Sequence, residues 1–69
     1  MTNQERCKKG QRVNEFAKRS FLVGNPIPEL GEIINTAFGQ YVVIAQNWGG
    51  DGWIRCAPLD KITVEGGAL

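Results

Sequence analysis

The stretch Gln40–Ala57, QYVVIAQNWGGDGWIRCA, constrains the fold more than any other part of the chain. Two runs rich in β-branched and aromatic residues flank a glycine-rich centre, a pattern that specifies a β-hairpin. Asp51-Gly52 carries the signal for a two-residue type I′ turn, with Gly50-Asp51 as the second choice. The first pivot sets Trp48 opposite Arg55, and the second sets it opposite Trp53. A slip of two residues leaves side chains on the same faces, so both registers predict one division of the hairpin. One face carries Gln40, Val42, Ile44, Gln46 and Trp48 with Trp53, Arg55 and Ala57. The other carries Tyr41, Val43, Ala45 and Asn47 with Ile54, Cys56 and Pro58. The second face is the more continuously apolar and is predicted to meet the core. An odd-length loop or a bulge would scramble the division.

The first face mixes aliphatic residues with glutamines, an arginine and both tryptophans of the chain. Trp and Arg are enriched where proteins bind one another. Val42, Ile44, Gln46, Trp48, Trp53 and Arg55 are therefore the candidate protein-binding residues. A packing account stands beside this one. Cross-strand aromatic pairs stabilise a sheet by roughly 0.2–1 kcal/mol. An exposed arginine stacked on a ring, as Arg55 on Trp48, adds about 0.5–1 kcal/mol.

The rest of the chain supplies short elements. TNQE, residues 2–5, has capping-box form, and Lys8-Lys9 before Gly10 suits a helix end, so a short helix is expected over about Asn3–Lys9. Lys9–Ala17 fits either a helical face through Val13, Phe16 and Ala17 or a strand alternating Val13, Glu15 and Ala17. The strand is preferred, because Gly10 interrupts a long helix. Ala17–Leu30 reads as a long loop pinned by Phe21 and Ile27, since Pro26 and Pro28 do not suit a central strand. GEIINTA, Gly31–Ala37, reads as a strand. PLDK, residues 58–61, suggests one 3₁₀ turn, ITVE at 62–65 a last strand, and GGAL at 66–69 a loose tail. The prediction is a single mainly β domain over 1–69, with a short helix or arm at 1–9 and about five short strands over 10–65, which can curl on themselves to remove exposed edges.

The spacing of KGQRV, LGEI, GQYVVIA, GWIRC and PLDKITV resembles that of SH3-like barrels of the KOW and Tudor kind, in which a glycine and a hydrophobic residue open each of the first two strands. The resemblance covers roughly residues 9–65 and implies a small SH3-like barrel. Length and strand order are also similar to the plasmid-encoded type II dihydrofolate reductases, whose tetramer forms one central pore. That family carries Val-Gln-Ile-Tyr on its pore strand. The nearest segment here, Trp53-Ile54-Arg55-Cys56, keeps only the isoleucine.

Charge and composition narrow the chemistry. Net charge is +1, unlike the strongly basic balance usual in nucleic-acid-binding domains. The distribution is uneven, with Arg6, Lys8, Lys9, Arg12, Lys18 and Arg19 near the start and mostly acidic residues afterwards. These basic residues, with Tyr41, Trp48 or Trp53 to stack on bases, are the alternative, nucleic-acid-binding candidates. Histidine is absent, which removes the commonest general base and metal ligand. Two distant cysteines, Cys7 and Cys56, do not make a zinc site. They read as free thiols of a cytoplasmic protein, with a Cys7–Cys56 bridge the one intramolecular pairing open to an exported chain. No apolar run approaches the roughly 20 residues of a membrane span. Asp51 serves the turn. No catalytic residue, metal or cofactor is expected. The reading is a small non-catalytic interaction module that binds a protein or associates with itself, with nucleic acid as the alternative partner.

Overall fold

A computed structural model describes residues 1–62 of the chain. Helix α1 spans Asn3–Gln11. Its N-terminus forms the capping box: the Glu5 amide donates to Thr2 Oγ1 at 3.1 Å, and the Thr2 amide donates to Glu5 Oε1 at 2.9 Å. The backbone hydrogen bond from Thr2 is the main reason the Glu5 carboxyl titrates below its ordinary value.

The helix does not stop at Lys9 as the sequence suggested. It runs through Gly10, which is buried against the sheet. A Cβ at Gly10 would lie 2.5 Å from Ile44 Cγ2. The missing side chain thus lets the helix approach the sheet, and tertiary packing overrides glycine's weak helix propensity. The strand expected over Lys9–Ala17 does not form. α1 occupies its first residues, and a 3₁₀ turn covers Glu15–Ala17. Asn14 caps that turn, its Oδ1 accepting the Phe16 amide at 2.8 Å.

Four strands follow: β1 Arg19–Leu22, β2 Ile33–Thr36, β3 Gly39–Gln46 and β4 Trp53–Pro58. They build one antiparallel sheet in the order β1-β4-β3-β2. Its curl makes a half-barrel, compatible with a small barrel fold. β1 lies inside the stretch expected to be loop, where KRSFLV lacks the alternation that marks a strand. Pairing with β4 creates it, with Phe21 opposite Ile54 and Leu22 opposite Trp53. Residues 59–62 are helical, so Ile62 is not the start of a strand. The remainder of the expected last strand and the 66–69 tail lie outside the described residues. Five strands are therefore not found; the described residues hold four.

Each face of the sheet carries a buried cluster. Cys7, Val13, Val42, Ile44, Ala57 and Ile62 pack together beneath α1. On the opposite side Tyr41, Val43, Ile54 and Cys56 pack with Phe21, Ile27 and Ile34. There Phe21 meets Tyr41 edge to face, ring centroids 5.3 Å apart, the arrangement favoured by aromatic quadrupoles. The alternation read from the sequence is correct for both strands as far as Ile44. Val43 pairs with Cys56, but the next pair is Ala45 with Arg55, leaving Ile44 as the extra residue of a bulge. No helix among the described residues is long and apolar enough to cross a membrane.

Candidate functional site: the open half of the hairpin face

Beyond the bulge, the hairpin closes through a turn in which the Trp53 amide donates to the Gly50 carbonyl at 3.3 Å. Asp51-Gly52 is therefore the pivot. Its geometry is not type I′, which needs positive φ at both central residues. Gly52 has φ +81°, whereas Asn47, at φ 52°, is the one non-glycine residue with positive φ among the described residues. A negative φ followed by a positive one is the type II pattern. The Trp48 amide donates to the Trp53 carbonyl at 3.2 Å, which brings the two tryptophans across from each other. The pivot of one expected register thus coexists with the cross-strand opposition of the other.

On the α1 side of the sheet, the half nearest the hairpin is not covered. Leu22 is 64% exposed, Trp48 53% and Trp53 38%. Leu22 and Trp53 are directly paired across β1 and β4, and Ser20 pairs with Arg55 beside them. The Arg55 guanidinium lies 5.8 Å from the Trp48 ring centroid. Its Nη2 donates to Glu15 Oε2 at 3.0 Å and its Nη1 to Ser20 Oγ at 3.3 Å. Lys18 Nζ reaches the other Glu15 oxygen at 2.7 Å. The hydrogen bond from Lys18 and then that from Arg55 hold the Glu15 carboxyl below its ordinary value. Gln11, Glu15, Lys18, Ile44, Trp48 and Arg55 enclose a cleft of about 240 Å³ where this cluster meets α1.

The structure keeps Trp48, Trp53 and Arg55 together and separates the other candidates from them. Val42 is fully buried under α1 and Val13, and Ile44, almost as buried, keeps only an edge at the floor of that cleft. Gln46 leaves the group because the bulge at Ile44 reverses the faces of Ala45 and Gln46, the residues that follow it in β3. It pairs with Ile54, whose side chain faces the other core, and its amide donates to the Pro28 carbonyl at 2.8 Å. Leu22 and Glu15 lie beside these residues, and the sequence did not mark either. Leu22 sat in an expected loop, and Glu15 in an expected strand.

The basic residues are dispersed. Arg6 is bound to α1 and the β2 approach, with Nε donating to the Gly31 carbonyl at 2.8 Å, Nη1 to the Met1 carbonyl at 2.8 Å, and Nη2 to Asn3 Oδ1. Lys18 is committed to Glu15 and the Gln11 carbonyl. Lys8 and Arg12 are exposed on or just after α1, and Lys9 is half-buried. Arg19 instead lies 3.9 Å from the centroid of Phe38. Tyr41 is buried, so it offers no face to a base.

Both cysteines are free and buried, on opposite sides of the sheet. Burial pushes the Cys7 thiol up, and it pushes Cys56 up to about 12 against a smaller opposing effect of Arg55. A thiol held protonated at neutral pH is a poor nucleophile. No group of three or more His, Cys, Asp or Glu among the described residues is placed to hold a metal ion. Comparison with protein-family models, curated proteins and solved structures found no match to this chain.

Proposed function

We propose that the protein is a small, non-catalytic SH3-like interaction module that docks on another protein through Leu22, Trp48, Trp53 and Arg55. One observation carries the reading: three large apolar side chains, Leu22, Trp48 and Trp53, stay in water beside Arg55 at the hairpin end of the α1-side face. Burying them releases roughly 25 cal/mol per Å² of apolar surface. Trp and Arg anchors ringed by less critical contacts are the common make-up of interface hot spots. Arg55 is already oriented by Glu15 and Ser20, which lowers the ordering cost of association. The partner surface is a protein surface with an apolar centre. A second copy of the chain is the other occupant, and it would meet the same patch across a twofold axis. The compartment proposed is the cytoplasm, where two unpaired thiols are the usual state.

Mass in solution across concentration, followed by capture of partners from the native host, tests the proposal on wild type, Leu22→Glu and Trp48→Ala. Leu22 and Trp48 are more than half exposed, so both variants are expected to fold and to lose association. A strict monomer at high concentration rules out the second copy. Partner capture undiminished in both variants rules out this face.

A further inference from the structure

At the end of the sheet away from the hairpin, a furrow of about 530 Å³ runs between the 3₁₀ turn and the β2–β3 connection. Its walls carry Phe16 and Phe38, and Lys18, Arg19 and Lys61 lie among them. A cleft of about 370 Å³ shares Phe16, Ala17 and Lys61 with it. Another, of about 310 Å³, shares Phe38, Tyr41, Pro58 and Asp60. Phe16 is 98% exposed and Phe38 61%. Phe16 contributes almost nothing to the core, so folding gives no account of a phenyl ring at that position.

Charge accompanies these rings. Arg19 and Lys61 are exposed, and neither has an ion pair among the described residues. Asp60 is the one acidic side chain lining the furrow. The Arg19 guanidinium already sits 3.9 Å from the Phe38 centroid, a cation–ring stack that a flat heterocycle would extend. Exposed rings with cations beside them match a polymer that carries both flat rings and phosphates. The rings of such a polymer are open to stacking only when unpaired.

We propose that this furrow binds single-stranded nucleic acid, with Phe16 and Phe38 stacking on bases and Arg19 and Lys61 holding the neighbouring phosphates. The site is separate from the tryptophan face and does not rest on it. From the basic N-terminal set it uses Arg19: Lys18 lines the furrow but is bound to Glu15 and the Gln11 carbonyl, and Arg6, Lys8, Lys9 and Arg12 lie outside its lining. Sequence independence follows, since every base offers a stacking face.

Fluorescence anisotropy with a labelled oligothymidylate of about 12 nucleotides, and with a duplex of equal length, tests this at about 20 mM salt and above. Binding is expected for the single strand in preference to the duplex, weakening as salt rises. Phe16→Ala is expected to lower affinity about 5- to 150-fold, the range of one lost base stack. Arg19→Gln is expected to lower affinity and flatten the salt dependence by about one phosphate's worth. Phe16 lies outside the core, so its replacement leaves the fold intact. Absence of binding at low salt, full affinity in Phe16→Ala, or equal binding of the duplex would each overturn the proposal. An equal loss on Lys8→Gln would do so too, because it would move the contact to α1.

Discussion

Two halves of one sheet face meet opposite fates. Away from the hairpin, Val42, Ile44 and Ala57 of β3 and β4 are sealed beneath α1; toward the hairpin, Trp53 and Leu22 stand in water beside Trp48. Hydrophobicity does not separate them, since tryptophan and leucine are as apolar as valine. Reach does. A helix of nine residues is about 13 Å long. Four strands span about 14 Å from first to last, and eight residues of β3 extend about 27 Å. One short helix covers only part of such a surface. The position it does cover is fixed by Gly10, the point where it touches Ile44, and by Arg6, which ties its first turn to Gly31. Among the described residues coverage stops short of the hairpin, where Leu22, Trp48 and Trp53 stay exposed.

Paired substitutions probe that contrast most sharply. Ile44→Ala, on the covered half, should cost about 2–5 kcal/mol of unfolding free energy. Leu22→Ala, on the open half, should stay within about 0.5 kcal/mol. Urea titrations with unchanged slopes compare them directly. A large loss for Leu22→Ala would mean that the open half is packed in solution. Gly10→Ala is expected to cost about 1–3 kcal/mol, because a methyl group forces helix and sheet apart; a neutral or stabilising result would show that Ile44 yields easily. Thr2→Ala removes the cap of α1 and should cost about 1 kcal/mol, read from the thermal midpoint.

The smallest effect concerns the acid limb. Glu15 titrates below its ordinary value in the folded chain. Its contribution is therefore present above the ordinary carboxylate range and lost as pH falls through the lowered value. Glu15→Gln should flatten the acid limb slightly and leave stability near neutrality almost unchanged. A drop at pH 7 comparable to that of Ile44→Ala would instead make the Glu15–Arg55 contact a principal support of the open half.

Much of this contrast was readable from residue order. QYVVIAQN and WIRCA alternate cleanly, and they specify β3, β4 and the two faces up to Ile44. TNQE announces the cap of α1, since a capping box is written in adjacent residues. The features that escaped depend on distant partners. Gly10 looks like a helix stop until Ile44 is placed beneath it. β1 has no period of its own and exists by pairing with β4. The bulge at Ile44 leaves no mark in a run of β-branched residues, yet it moves Gln46 to the other side. Within the site, both tryptophans and Arg55 were legible as a same-face set. Val42 and Ile44 carried the same signal, and only the helix lying over them tells the two groups apart.

The placement of Trp48 and Trp53 has a practical consequence. They are the only indoles in the chain, and both sit at the boundary with water, at 53% and 38% exposure. The protein therefore carries its own optical reporter, tuned to the surface. Its native emission should lie close to that of the unfolded chain, so indole fluorescence will follow denaturation poorly. Any macromolecule that settles on this face will dehydrate both indoles at once and shift the emission to the blue, without a label and without disturbing the core.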